Sequence, residues 1–290
     1  MVKNHTRYIF SMGELKRKDN SIMFKNEKGN FYIPIIDTKE LYCMNEVSFN
    51  TKFLDFISKA GIVLHIFNYH EGYSGTFYPK EQLVSGDLVI KQVNCFLTNR
   101  LEISKSIVLG MANNIYEILY HYYRHDKTKI KPTLDYLRKV EKLLNKEINI
   151  NQIMFIEGQI WMRFYDSFKY FLPSDFIMNK RVKRPPDNPI NALISFGNTL
   201  LYTKTIFELV NRRKIQLKHF EKKFNYALLN EEGKKIFIDA FENRLNETFL
   251  HPKLKRKTTL KHCLKLEGYK LIKTIIEDKK FNPFNIKDKF

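Results

Sequence analysis

Through roughly the first seventy or eighty residues, apolar positions alternate with polar ones; the period then lengthens to that of a helix and stays there. Arg7-Tyr8-Ile9-Phe10 predicts a short strand, and Glu14 to Lys18 a second that meets a turn at Asp19-Asn20. Ser21-Ile22-Met23-Phe24 follows, then a second turn over Asn26 to Asn30. Phe31 to Ile36 reads as a strand in which Pro34 demands an edge position or a strand end, because proline cannot donate to a ladder. Glu40-Leu41-Tyr42-Cys43 and Val47-Ser48-Phe49 are further short strands. A helix is expected over Phe53 to Ala60, capped by Asn50 or Thr51 and closed by Gly61. Ile62 to Phe67 reads as a buried strand; His65 in it has no second ligand at metal spacing and is expected to be a core or edge histidine.

Asn68 to Gly86, with Gly72, Gly75, Pro79 and Gly86, has the composition of a connection. Helical periodicity follows over about Leu88 to His121, Thr133 to Lys146, Asn151 to Phe171, Ile190 to Tyr202, Thr205 to Arg212, Glu232 to Phe249 and Thr259 to Glu277. The expected fold class is α+β. A small N-terminal β domain occupies 1–86, with its linker at about 68–86, and a larger all-α-helical domain occupies 87–290. No internal repeat is present.

One helix is marked at its start. In Arg184 to Tyr202, RPPDNPINALISFGNTLLY, Asn188 suits an N-cap and Pro189 the first helical position, where a missing N–H costs nothing. Ile190, Leu193, Ile194, Gly197, Leu200 and Leu201 form the core face. Asn191, Ser195, Asn198 and Tyr202 form a polar stripe, which reads either as the wall of a wet cleft or as a solvated helix edge.

Composition narrows the classes of function. A chain of 290 residues that is 43% hydrophobic buries a sizeable core and has room for two domains. No run of about 18 apolar residues occurs, and the N-terminus does not resemble a signal peptide. Cys43, Cys95 and Cys263 are far apart and odd in number, which argues against a disulfide framework and for a reducing cytoplasm. Fifty Lys and Arg against thirty-one Asp and Glu leave a charge of +19. That excess attracts polyanions, nucleic acid first among them. Basic and aromatic side chains mix at Arg100, Lys105, Tyr120, Tyr122, Tyr123, Arg124 and Lys127, and basic residues cluster at Lys253, Lys255, Arg256 and Lys257. Each run also reads as an ordinary solvated face; their sum favours nucleic acid.

One acid is out of place. The helix over Asn151 to Phe171 has a polar face at Gln152, Gln159, Arg163, Asp166 and Tyr170, but Glu157 lies off it, among Ile153, Met154, Ile160 and Trp161. An ionised carboxylate in such surroundings needs a partner. A salt bridge to a basic residue satisfies it; so does a divalent ion with oxygen ligands.

Three blocks, in order, resemble the CRISPR-associated adaptation integrase, the first Cas protein ("Cas one"), also called its endonuclease. IMFIEGQIWMRFYDSF, Ile153 to Phe168, resembles the helix bearing that family's first metal ligand, a Glu followed by Gly, here Glu157 and Gly158. Arg184 to Tyr202 resembles its R-x-P-x-D-P-x-N-x-L-[IL]-S-[FY]-G signature. Ile206 to Ile215, Phe224 to Leu245 and the chain up to Phe284 resemble the C-terminal helices of the subgroup beside type I-B systems. The resemblance implies an N-terminal β domain that forms a homodimer and a helical catalytic domain. It implies insertion of short double-stranded DNA into a CRISPR array, by attack of a 3′-hydroxyl on a phosphodiester. It also implies Mg2+ or Mn2+ as cofactor and a small dimeric adaptation partner ("Cas two").

The resemblance implies two more metal ligands, a His in a G-F-L-H type motif and an Asp in an S-L-x-x-D segment, and neither motif occurs. Leu201-Tyr202 runs through Thr203-Lys204 straight into Thr205-Ile206, so an internal deletion near 203 is expected. His219, His251, His262 and Asp239 are poor substitutes by position. The expected site is therefore Glu157 as catalytic residue and metal ligand, with Asn191, Ser195, Asn198 and Tyr202 lining it. Arg163, Arg181, Lys183, Arg184, Lys255, Arg256 and Lys257 are the DNA-binding candidates. Two expectations follow: an active integrase, or a catalytically dead remnant that keeps dimerisation and non-specific DNA binding.

Overall fold

The computed structural model describes residues 5–68, 73–79, 86–123, 129–146, 149–183, 185–199, 220–223, 226–251, 254–277 and 279–285. The chain divides into two compact units: Met1–Val84 with Lys183–Ile238, and Ser85–Val182 with Asp239–Phe290. The region from 87 onward, read from its periodicity as one helical domain, is thus shared between them.

In the first unit, β1 (His5–Ile9), β2 (Gly13–Lys18), β3 (Ser21–Asn26), β4 (Gly29–Pro34), β5 (Thr38–Cys43), β6 (Val47–Phe49), β7 (Val63–Phe67) and β8 (Tyr73–Phe77) form two four-stranded sheets. One has the order β4-β3-β2-β6, the other β1-β5-β7-β8. The β2–β3 hairpin turns at Asp19-Asn20, and Asp19 takes the left-handed φ of 53° that an aspartate tolerates at such a turn. Pro34 ends β4, an outer strand of its sheet, where its missing N–H breaks no ladder. Helix α1 (Thr51–Lys59) starts where Asn50 Oδ1 accepts the Phe53 N–H at 3.0 Å, and its end is followed by Gly61 at φ 69°. Leu15, Ile22, Leu41, Phe53, Ile57 and Leu64 are sealed in the core between these elements. Helix α6 (Pro189–Thr199) and the hairpin β9 (Phe220–Lys223) and β10 (Tyr226–Leu229) belong to the same unit, with α6 packed on β10. The Lys235 ammonium lies 5.8 Å from the centroid of the Phe10 ring, joining the later segment to the N-terminal one.

The second unit holds α2 (Gly86–Thr98), α3 (Arg100–Tyr123), α4 (Lys131–Leu144), α5 (Ile150–Asp166) and a 3-10 turn at Ser167–Tyr170. It also holds the hairpin β11 (Thr248–His251) and β12 (Arg256–Thr259) and helix α8 (Leu260–Glu277). Helix α7 (Glu231–Asn246) runs across the division between the units.

Three expectations change. The single helix over 88–121 is two, separated at Asn99. The helix over 232–249 ends at Asn246, and Thr248 begins a strand. The region from 87 onward is mostly helical but not all-α, because β9–β10 and β11–β12 interrupt it. Each of those strands is four residues long, so each face shows only two positions and no period emerges. The expected helix over 205–212 lies outside the described residues.

Candidate nucleic-acid and metal-ligating residues

Helix α6 starts as its sequence dictates. Asn188 Oδ1 accepts the Asn191 N–H at 2.9 Å, and Pro189 takes the first helical position. Ile190, Leu193, Ile194 and Phe196 are buried, the last with its ring edge-on to Phe237 at 5.2 Å. The polar stripe does not stay together. Asn191 is 0% exposed and donates its Nδ2 to Asp187 Oδ1 at 2.7 Å. Ser195 is half-buried and donates its hydroxyl to the Lys183 carbonyl at 3.2 Å; Asn198 is exposed. Thus the first two members of the stripe anchor the chain that leads into the helix. Tyr202 and Arg184 lie outside the described residues.

Glu157 stands on α5, which begins with a capping box: Asn149 Oδ1 accepts the Gln152 N–H at 3.1 Å, and Gln152 Oε1 accepts the Asn149 N–H at 2.8 Å. The buried face of α5 is Ile153, Ile156, Ile160 and Phe164. Glu157 is half-buried at its margin. The expected apolar enclosure is not closed: Met154 is 63% exposed, Phe155 68%, and Gly158 opens to solvent. The helical wheel placed Glu157 among apolar neighbours correctly, but those neighbours face outward, so the carboxylate meets water and needs no ion pair to exist as an anion. Its expected polar face is largely the face toward α4. Arg163 is half-buried with its guanidinium 4.3 Å from the Tyr136 ring centroid, and its Nε is buried with no hydrogen-bond partner among the described residues. Asp166 pairs with Lys169 at 2.8 Å.

Of the other basic candidates, Lys183 is exposed and Arg181 half-buried, its Nη1 donating to the Val182 carbonyl. Lys255, Arg256 and Lys257 are all exposed on the β11–β12 hairpin. Lys255 takes φ 51° at the turn, where its N–H reaches the His251 carbonyl at 2.9 Å.

A divalent ion of the Mg2+ or Mn2+ kind requires several oxygen donors about one point. Among the described residues no group of three or more His, Cys, Asp and Glu side chains gathers that way. His251 is buried, and its Nδ1 accepts the Leu254 N–H at 3.2 Å. Glu157 alone does not fit such an ion.

Sequence reasoning noted the tyrosines at the end of α3 but not what they join. Tyr116, Tyr120 and Tyr123 stack along one face, with centroids 5.7 and 6.1 Å apart and planes at 12° and 24°. Arg138, from α4, donates Nη2 and Nε to Tyr116 Oη at 2.6 and 3.1 Å. The hydrogen bond to Tyr116 holds the Arg138 proton more tightly still. The i, i+4, i+7 spacing of the tyrosines was readable; the arginine comes from another helix.

The sequence profile of the family described as "CRISPR associated protein Cas1" matches residues 7–206 and 203–243. The CRISPR-associated endonuclease Cas1 of Fusobacterium nucleatum is 36% identical, with 96% of each chain covered. That of Thermotoga maritima is 32% identical over 94% of this chain and 98% of its own. The solved structure of a Cas1 protein from Thermotoga maritima superposes with a TM-score of 0.79 at 30% identity, over 96% of this chain and 98% of that one. A casposase bound to its integration product shares the fold at a TM-score of 0.78 and 14% identity, over 98% of this chain and 94% of that one. The alignment with the Fusobacterium protein spans 324 positions against a chain of 290 residues, so at least 34 positions of that alignment have no counterpart here.

Proposed function

The chain belongs to the CRISPR-associated Cas1 family, and from that premise we propose that it acts on double-stranded DNA in spacer acquisition. The reaction is the endonuclease and integrase chemistry of its relatives: a DNA 3′-hydroxyl attacks a phosphodiester of the repeat, one P–O bond forms and one breaks, and the leaving strand takes the proton. The observation that carries this reading is near-complete two-way coverage of relatives named as endonucleases. The charge of +19 supports it, since holding duplex DNA requires many phosphate contacts. The exposed Lys183, Lys255, Arg256 and Lys257 are the proposed phosphate contacts. Glu157, half-buried and open to water, is the proposed catalytic carboxylate. Asn191, Ser195, Asn198 and Tyr202 are proposed to shape the site's support.

The family resemblance implies Mg2+ or Mn2+, but the described residues offer it one carboxylate, and no step is derived through it. The proposed assembly is a homodimer joined through the β sheets and bound to the small dimeric adaptation partner; a solved Cas6-RT-Cas1–Cas2 complex shares the fold. The cytoplasm is the proposed location. The buried free thiols of Cys43, Cys95 and Cys263 support it, and no described helix is long and apolar enough to cross a membrane.

A specific observation favours a second reading, a catalytically dead remnant that keeps dimerisation and DNA binding. At least 34 aligned positions are missing, and the sequence has no aspartate between Asp187 and Asp239, where the resemblance implies one. One experiment separates the two: labelled duplex oligonucleotides, a repeat-bearing plasmid and Mn2+. Strand transfer that Glu157→Ala abolishes establishes the integrase. Binding without transfer, unaffected by EDTA and lost steeply with salt, establishes the remnant. Absence of duplex binding at low salt overturns both.

A further inference from the structure

The α3–α4 ladder lies apart from Glu157's position on α5 and has no part in the reading above. It combines two features. The first is a row of tyrosine rings, Tyr116, Tyr120 and Tyr123, stacked nearly parallel along one helix face, with Tyr120 38% exposed. The second is a cation locked to one end: Arg138 holds Tyr116 Oη with two N–H groups and lies 5.2 Å from that ring's centroid. A tyrosine row serving only as core would be buried; this one is half-exposed, while Leu119 and Ile115 beside it face the interior.

The surrounding charge selects the ligand. From Tyr120 to Lys146 the sequence carries eight Lys and Arg (Arg124, Lys127, Lys129, Lys131, Arg138, Lys139, Lys142 and Lys146) against three acids, Asp126, Asp135 and Glu141. Flat aromatic faces, regularly spaced and set in positive charge, match a polyanion whose own flat groups are available for stacking. Base pairing hides those faces inside a duplex; an unpaired strand presents them.

We propose that the Tyr116–Tyr120–Tyr123 face, with Arg138 at its end, is a stacking platform for a short unpaired stretch of a DNA strand. The proposal rests on the DNA-binding reading but occupies different residues from it. Bases stack against the exposed tyrosine rings, and the cations along α4 face the phosphates of the same strand. Stacking of this kind is tolerant of sequence, because every base has a flat face.

The test measures fluorescence anisotropy of the full chain with a labelled oligothymidylate and, separately, a labelled blunt duplex. Tyr120→Ala is expected to weaken oligothymidylate binding by about tenfold, within the range for loss of one stacked base, and Tyr120→Phe to leave it unchanged. Arg138→Gln is expected to weaken it several-fold; the residue's exposed position means that loss of folding does not account for the effect. Duplex affinity stays the same in all three. Oligothymidylate binding that Tyr120→Ala and Arg138→Gln both leave intact overturns the platform, as does a wild-type chain that binds duplex but not oligothymidylate. A chain that binds oligothymidylate through these residues but never duplex leaves the platform standing and removes the proposed function.

Discussion

Asn191, fully buried in α6, donates its side-chain amide to Asp187 Oδ1 at 2.7 Å, and the same oxygen accepts Asn188 Nδ2 at 2.8 Å. One carboxylate oxygen therefore joins the loop before the helix to the helix's first turn. Replacing Asp187 by Ala leaves a buried amide without its acceptor. The expected loss is about 1–3 kcal/mol of stability, read as a lower urea midpoint with an unchanged slope. Asp187→Asn keeps an oxygen acceptor and is expected to lose less.

That bond explains how much of α6 was legible. Its cap, its proline and its apolar face were visible because each depends on residues within one turn. The fate of the stripe was not visible, because Asn191 is buried by what packs on it and Asn198 is not. The N-terminal turns followed the same rule: Asp19-Asn20 and Gly61 are local signals, and both hold. The pairing of β1 with β5 and of β2 with β6, both parallel, joins residues far apart in sequence and left no local mark. Glu157 was found by its isolation on the helical wheel, yet its solvent access depends on side chains that face outward rather than into a neighbour.

A second prediction concerns acid. His65 on β7 lies 4.3 Å from the Tyr42 ring, and its Nδ1 is 2.8 Å from Thr76 Oγ1. Burial lowers its pKa below the ordinary 6.5, while Glu40 pulls the other way. The unfolded chain therefore takes up the proton first, and stability falls as pH drops through about 6.5 toward the depressed folded value. Urea midpoints should fall between about pH 7.5 and pH 5, and His65→Gln should flatten that slope. Glu40→Gln should steepen it. An unchanged slope in His65→Gln would show that other groups carry the acid sensitivity.

A third prediction concerns Gly110, inside α3. A Cβ there would sit 2.5 Å from Pro283 Cγ and 2.9 Å from Pro283 Cβ. The C-terminal segment crosses α3 at this point, held by Asn114 Nδ2 to the Phe284 carbonyl at 3.2 Å and by the Phe284 N–H to Glu267 Oε2 at 2.9 Å. Alanine in a helix interior is otherwise worth about 1 kcal/mol over glycine, whereas overpacking of this kind costs about 1–3 kcal/mol. Gly110→Ala should therefore destabilise despite the helix's preference for alanine. In a Pro283→Gly background the same change should become stabilising. Thermal melts of the four proteins give the sign directly; destabilisation that persists without the proline ring would assign the cost to something other than that contact.

The last prediction tests the exposed hairpin. Lys255, Arg256 and Lys257 stand together where β11 turns into β12, while Thr258, the next residue, is buried and fixes the strand. Because all three charges are exposed, their joint replacement by Gln should leave the melting temperature close to wild type. If they face duplex phosphates, each lost contact lowers the slope of log affinity against log salt by about one. The triple variant should then bind duplex DNA more weakly at low salt, approach wild type as salt rises, and do so equally for unrelated sequences. A slope that stays at the wild-type value would remove the hairpin from the DNA track and leave the positive charge elsewhere on the chain to account for binding.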